Sequence, residues 1–137
     1  MKLKLAAAAA ALAVMTAPAY AGEWEIHSYA DFMASPDTQA VLGDFPISFG
    51  ETPSGTSIGR TNSGRPAKSF HTPHDVACQR ALLNALKGMM DKTLASGGTR
   101  LTGVHSTNGL VKDKSTEYAC NVSHFKALAP VVGQMTK

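Results

Sequence analysis

The sequence predicts an α+β domain: one long helix packed on a small, mostly antiparallel sheet and tied to it by a single disulfide. Three observations carry this. An apolar stripe of helical period runs from a start signal at Thr72-Pro73 to a glycine stop at Gly97-Gly98. Segments of period-two alternation lie on both sides of it. The chain also has two cysteines, Cys78 in the helical stripe and Cys120 in an alternating segment.

Residues 1–21 follow the plan of a cleavable export signal. Lys2 and Lys4 form a basic start, Leu5 to Met15 is an alanine-dominated apolar run, and Ala19-Tyr20-Ala21 places small residues where signal peptidase reads them. The apolar run is shorter than the roughly 20 residues that span a bilayer. The expected product is residues 22–137, a single α+β domain in the periplasm or outside the cell, with no stable membrane insertion after cleavage. The full chain carries a formal charge of +3. Lys2 and Lys4 leave with the signal, so the remainder is near neutral and gives no reason to expect nucleic acid as a partner.

The N-terminal segment Glu23–Met33 carries Trp24, Ile26, Tyr29 and Phe32 among polar residues. Trp24, Tyr29 and Phe32 read either as a binding stripe or as cover for the open face of the sheet. Ser35-Pro36-Asp37 opens a short helical turn to about Leu42. Phe45 to Gly50 alternates apolar with small or polar residues, as a half-buried strand does. Residues 51–70 are rich in Gly, Ser, Thr and Pro and read as a long polar surface loop.

The long helix comes next. Thr72 is the expected N-cap, Pro73 occupies the first helical position, and the charge of Asp75 suits a helix N-terminus. Cys78, Leu82, Leu86 and Met89 recur at spacings of four, four and three, widened by Leu83, Met90 and Leu94. Thr99–Ser106 and Thr116–Val122 alternate as two strands that pair, with Asn108-Gly109 as the turn signal between them. Tyr118 and Cys120 fall on one face of the second strand, and Glu117, Ala119 and Asn121 on the other. Cys120 then faces the helix and Cys78. Two cysteines in an exported chain most simply pair. Leu128–Met135 reads as a further strand interrupted by Pro130 and Gly133.

The blocks Phe49-Gly50-Glu51-Thr52-Pro53, Asp75 to Leu86 around Cys78, Gly97-Gly98 and Ser115 to Cys120 occur in the order and spacing of a family of small exported proteobacterial proteins. The run from Phe45 to Lys137 resembles that family, whose members carry the label "excinuclease ATPase subunit". The label implies ATP hydrolysis, but the residues do not. A phosphate-cradling loop needs Gly-Lys-Ser/Thr, with lysine on the phosphates and the hydroxyl on magnesium. The nearest approach, Gly59 to Pro66, has no lysine and ends in proline.

Candidate chemistry is sparse. His71 and His74 flank the helix start, one turn before Cys78, and are the candidate metal ligands. His105 and His124 form a weaker pair near the ends of two strands. Ser54, Ser57, Ser63 and Ser69 are candidate nucleophiles for a small hydrolase, but none sits in a Gly-x-Ser-x-Gly elbow. The functional expectation is therefore a non-catalytic module, with no cofactor, that binds another envelope protein. A metal-binding protein using His71 and His74 is the first alternative, and a small hydrolase the second.

Overall fold

The computed structural model describes residues 22–137; the export-signal reading of residues 1–21 lies outside the described residues. The elements are β1 (Glu23–Ser28), α1 (Tyr29–Ala34), α2 (Pro36–Leu42), β2 (Ile47–Phe49), β3 (Ser57–Ser63), β4 (Ala67–Lys68), α3 (His74–Ala95), β5 (Arg100–Ser106), β6 (Glu117–Val122), β7 (Lys126–Leu128) and β8 (Val131–Thr136). The expected α+β class holds, with α3 as the long helix and the Cys78–Cys120 disulfide joining it to β6.

The stripe of α3 does the packing. Cys78, Leu82, Leu86 and Met89 are fully buried, together with Ala77, Ala81 and Ala85. Alanine, leucine and methionine are strong helix formers, so propensity and burial agree here. Each large aliphatic side chain removed from water contributes roughly 1.5–3 kcal/mol. Gly97, at φ 86°, takes the left-handed conformation just past the C-cap Ser96, and the Gly98 N–H closes the end by donating to the Thr93 carbonyl at 2.8 Å. The start differs from expectation. Pro73 is the N-cap and offers no side-chain hydrogen bond, while the Thr72 hydroxyl donates to the Phe70 carbonyl at 3.2 Å. With the helix beginning at His74, Thr72 lies one residue before the cap position and its hydroxyl serves the preceding turn instead.

The strands form two four-stranded sheets, with orders β1-β6-β7-β4 and β2-β5-β8-β3. All pairs are antiparallel except β2 with β5. The expected pairing of Thr99–Ser106 with Thr116–Val122 is corrected: β5 and β6 lie in different sheets. β6 is taken along its length by β1, and β5 by β8. The two sheets meet where the Ser106 hydroxyl accepts from the Ala119 N–H at 2.9 Å. The reading of residues 51–70 as one long polar loop is also corrected. That stretch contains β3, paired along β8, and β4, paired with β7. Both are edge strands, so polar residues can occupy their outward positions.

Residues 51–56 do run as a loop, but they lie on the sheet. The Ser54 N–H donates to the Thr102 hydroxyl, and Pro53 sits about where a Cβ on Gly103 would reach, 3.2 Å away. Gly103, at φ 62°, makes this possible at a register shift in β5. Residues 53–55 thereby cover the second sheet around Arg100, Thr102 and Thr136. Gly133 serves the inner side: a Cβ there would stand 2.8 Å from Val104 and 3.2 Å from Met89. Its missing side chain lets α3 approach β8. Among the described residues no helix is long and apolar enough to cross a membrane.

Candidate functional site

The first sheet has two unlike faces, and its register says which residues share each. Glu25 lies opposite Cys120 and His27 opposite Tyr118, so Glu25 and His27 point inward, toward α3. Trp24 lies opposite Asn121 and Ile26 opposite Ala119, so these point outward. Leu128, opposite Asn121, and the Lys68–Lys126 pair continue the outward face across β7 and β4. The ladder runs on past the end of β4, because the Ser69 N–H donates to the Phe125 carbonyl at 3.1 Å. That brings Phe70 within 5.1 Å of His124 and 5.5 Å of Phe125, ring centre to ring centre.

The outward face therefore carries Trp24, Ile26, Leu128 and the lysine pair, and the Phe70–Phe125 group lies at its end, beside the start of α3. Trp24, Ile26 and Phe70 are each 40% exposed, and Phe125 is 62% exposed. Lys68 and Lys126 stand directly opposite one another, an arrangement that costs stability. Neither has a carboxylate within 4.0 Å among the described residues. His71 extends the aromatic group, with its ring 3.9 Å from that of Phe70. It is held at φ 55°, a left-handed conformation that costs a non-glycine residue about 1–2 kcal/mol. An open cleft of about 460 Å³ beside this group is lined by Phe70, His71, His74 and His124, among others.

The inward face carries a second arrangement. One Glu25 oxygen pairs with His27 Nε2 at 3.0 Å, and the other with His74 Nδ1 at 2.6 Å. One carboxylate thus clasps β1 to the first turn of α3. Burial pushes the Glu25 carboxyl up, but the hydrogen bonds from His74 and His27 outweigh it and hold the group below the usual glutamate range. The His27 ring stacks on Tyr118 at 5.8 Å. Cys78 Sγ lies within 4.8 Å of the Glu25 and His27 ligand atoms, but it is bonded to Cys120 and is no thiolate.

The structure divides the predicted metal pair. His71 and His74 line one cleft, yet His71 packs on Phe70 while His74 bonds Glu25. His105 lies in β5 and His124 in the bend between β6 and β7: His105 Nδ1 sits 3.0 Å from the Gly103 carbonyl, and His124 packs on Phe70 and Phe125. Of the four loop serines, Ser57 accepts from Gly59 N–H and Ser69 donates to the Ser123 carbonyl. Trp24, Tyr29 and Phe32 do not form one stripe. Trp24 faces out, Tyr29 stacks on Phe49 at 4.0 Å, and Phe32 is fully buried.

Sequence reasoning missed Glu25, His27, Lys68, Phe70 and Phe125 as site residues. The period-two spacing of Glu25 and His27 was a readable signal once β1 is taken as a strand. Comparison with protein-family models, with curated proteins and with solved structures finds no match to this chain.

Proposed function

We propose that this protein is an exported, non-catalytic module of the bacterial envelope that binds another envelope protein through the outward face of its first sheet. One observation carries the reading. Residues 53–55 lie against the outer side of one sheet, while the other presents Trp24, Ile26 and two lysines with no carboxylate within 4.0 Å among the described residues, with the exposed Phe70 and Phe125 at its end. Exposed aromatic surface and opposed like charges both cost free energy in the isolated protein. A partner with an apolar centre and an acidic rim would relieve both costs. Aromatic side chains are the common anchors of such contacts.

The signal-like start and the single disulfide support the compartment, and the family resemblance from Phe45 onward agrees with export. The engagement of several reactive side chains supports the non-catalytic reading: Ser57 accepts from the Gly59 N–H, Ser69 donates to the Ser123 carbonyl, and the two cysteines hold each other.

The test is a photo-crosslinking amino acid placed at Leu128, on the outward face, and separately at the exposed Thr56, beside the edge strand of the second sheet. In the intact envelope the Leu128 position should give one discrete adduct, which Trp24→Asp and Phe70→Asp each abolish. Adducts at both positions, or an adduct indifferent to these substitutions, would remove the basis for the assignment.

A further inference from the structure

Three of the four sheet edges carry a feature that discourages pairing with another chain. β4 is two residues long and bears Lys68. β2 is three residues long, with a register shift between Ile47 and Phe49. β3 has a register shift between Ser57 and Gly59 and presents the exposed Arg60. Short length, irregular register and outward cations are the usual protections of a free edge. β1 has none of them. Its six residues run in unbroken register along β6 and include no lysine, arginine or proline. No strand or helix among the described elements runs along its outer edge.

The direction of the unused backbone groups follows from two hydrogen bonds. The Tyr29 N–H donates to the Thr116 carbonyl at 2.9 Å, one step beyond the Ser28–Glu117 pair. Antiparallel neighbours alternate between pairs that exchange hydrogen bonds and pairs that do not. Counting back from Tyr29, His27, Glu25 and Glu23 bond to β6, while Ser28, Ile26 and Trp24 turn their N–H and carbonyl groups away from it. β6 agrees, because the N–H of Ala119, opposite Ile26, goes to the Ser106 hydroxyl. Ser28 is the N-cap of α1 and gives its carbonyl to that helix. The outer edge therefore offers both groups of Trp24, both groups of Ile26 and the Ser28 N–H.

We propose that two copies of this chain pair antiparallel through β1, about a two-fold axis at Ile26, and so join two four-stranded sheets into one. The unused groups must meet and the faces must match, so the allowed registers are few. Centred on Glu25, the pairing sets two carboxylates directly opposite one another, which is destabilising. Centred on His27, it runs into α1 at Tyr29. Centred on Ile26, it sets Glu25 opposite the second copy's His27, and Trp24 opposite the second copy's Ser28. In that register the two Ile26 residues exchange hydrogen bonds across the axis, and each Ser28 N–H reaches the other copy's Trp24 carbonyl. Carboxylate faces imidazole on both sides of the axis, so the strand is complementary to itself, as a two-fold contact requires. Trp24 and Ile26 keep their side chains on the outward face of the joined sheet.

Sedimentation equilibrium of the untagged, disulfide-intact protein over a wide concentration range tests this. The expected result is a reversible monomer–dimer equilibrium. Ile26→Pro removes an N–H that the monomer does not use, at an edge position where proline is tolerated. It should keep the circular dichroism of the parent and sediment as a monomer throughout. Ile26→Lys, which sets two like charges at the axis, should also be monomeric, and it decides the matter if the proline variant fails to fold. Lys68→Glu, on the opposite edge of the sheet, should leave the dimer intact.

Crosslinking reads the register. Hydrogen-bonded antiparallel partners stand about 5.5 Å apart between Cα atoms, within the roughly 4.4–6.8 Å that a disulfide spans. Ile26→Cys should therefore form a disulfide-linked dimer under mild oxidation, and Glu23→Cys, far from the axis, should not. A protein that stays monomeric at every concentration overturns the proposal. So does a dimer that survives Ile26→Lys, or one in which Glu23→Cys crosslinks and Ile26→Cys does not. The lysine pair and the Phe70–Phe125 group take no part in this edge, so failure here leaves the binding reading standing.

Discussion

Breaking the Cys78–Cys120 bridge removes a cross-link between residues 42 apart in sequence, and its effect on stability can be worked out beforehand. On the chain-entropy model, closing a loop of that length restricts the unfolded chain by about 4 kcal/mol at 25 °C. A domain of this size melts with an entropy of about 0.24 kcal/mol/K, so 4 kcal/mol is worth about 16 °C in Tm. Both cysteines are fully buried, between α3 and β6. Reductant therefore reaches the bridge only when the chain opens, and the reduced protein is prepared by unfolding and refolding in reductant. Calorimetric melts of the oxidised and reduced forms, with a thiol count on each, give the difference directly. Cys78→Ala with Cys120→Ala should melt near the reduced form and ignore the reductant. A difference under about 4 °C with two free thiols confirmed would refute the reasoning. The bridge would then constrain little that the core does not already constrain.

Two further predictions follow from the titratable groups. The Glu25 carboxyl is depressed in the folded protein, so its contribution to stability is fully present above the unfolded-state value and is lost as pH falls through the folded value. Urea melts at pH 6 and pH 3 should therefore show Glu25→Gln destabilised relative to the parent at pH 6, with the gap narrowing at pH 3; a gap independent of pH would contradict the clasp. Tyr29 is pushed up to about 12 by burial, and burial moves Tyr118 higher still. Residues 22–137 contain only these two tyrosines, so an absorbance titration of that chain should show no phenolate step near pH 10, and a full step there would place a ring in water.

The parts of the fold that were legible in the sequence are those where one signal settles one element. Cys78, Leu82, Leu86 and Met89 recur with helical period, and Gly97-Gly98 ends the run, so α3 could be placed to within a residue or two. Tyr118 and Cys120 alternate with their neighbours, so the face of β6 that meets the helix was readable as well. The sheet partners were not. A strand's alternation fixes its faces but not its neighbour, and Asn108-Gly109 suggested a hairpin that the longer ladders of β1 and β8 displace. β3 and β4 hid among Gly, Ser and Pro because edge strands need few apolar residues.

The candidate sites were less legible for a related reason. His74 was singled out for its nearness to Cys78 along the helix, yet its partner is Glu25, 49 residues away. Only the pairing of β1 with β6 brings Glu25 to that place. Likewise the Lys68–Lys126 pair exists only through the β4–β7 ladder, which no local pattern announces.

The central claim, that the outward face of the first sheet is a contact surface, is most directly tested by hydroxyl-radical footprinting of the protein in the intact envelope and after purification. Trp24, Phe70 and Phe125 should be oxidised readily in the purified protein and protected in the envelope. Met33 and Leu110, exposed elsewhere on the surface, should react alike in both. Equal oxidation of Trp24, Phe70 and Phe125 in the two settings would contradict the account.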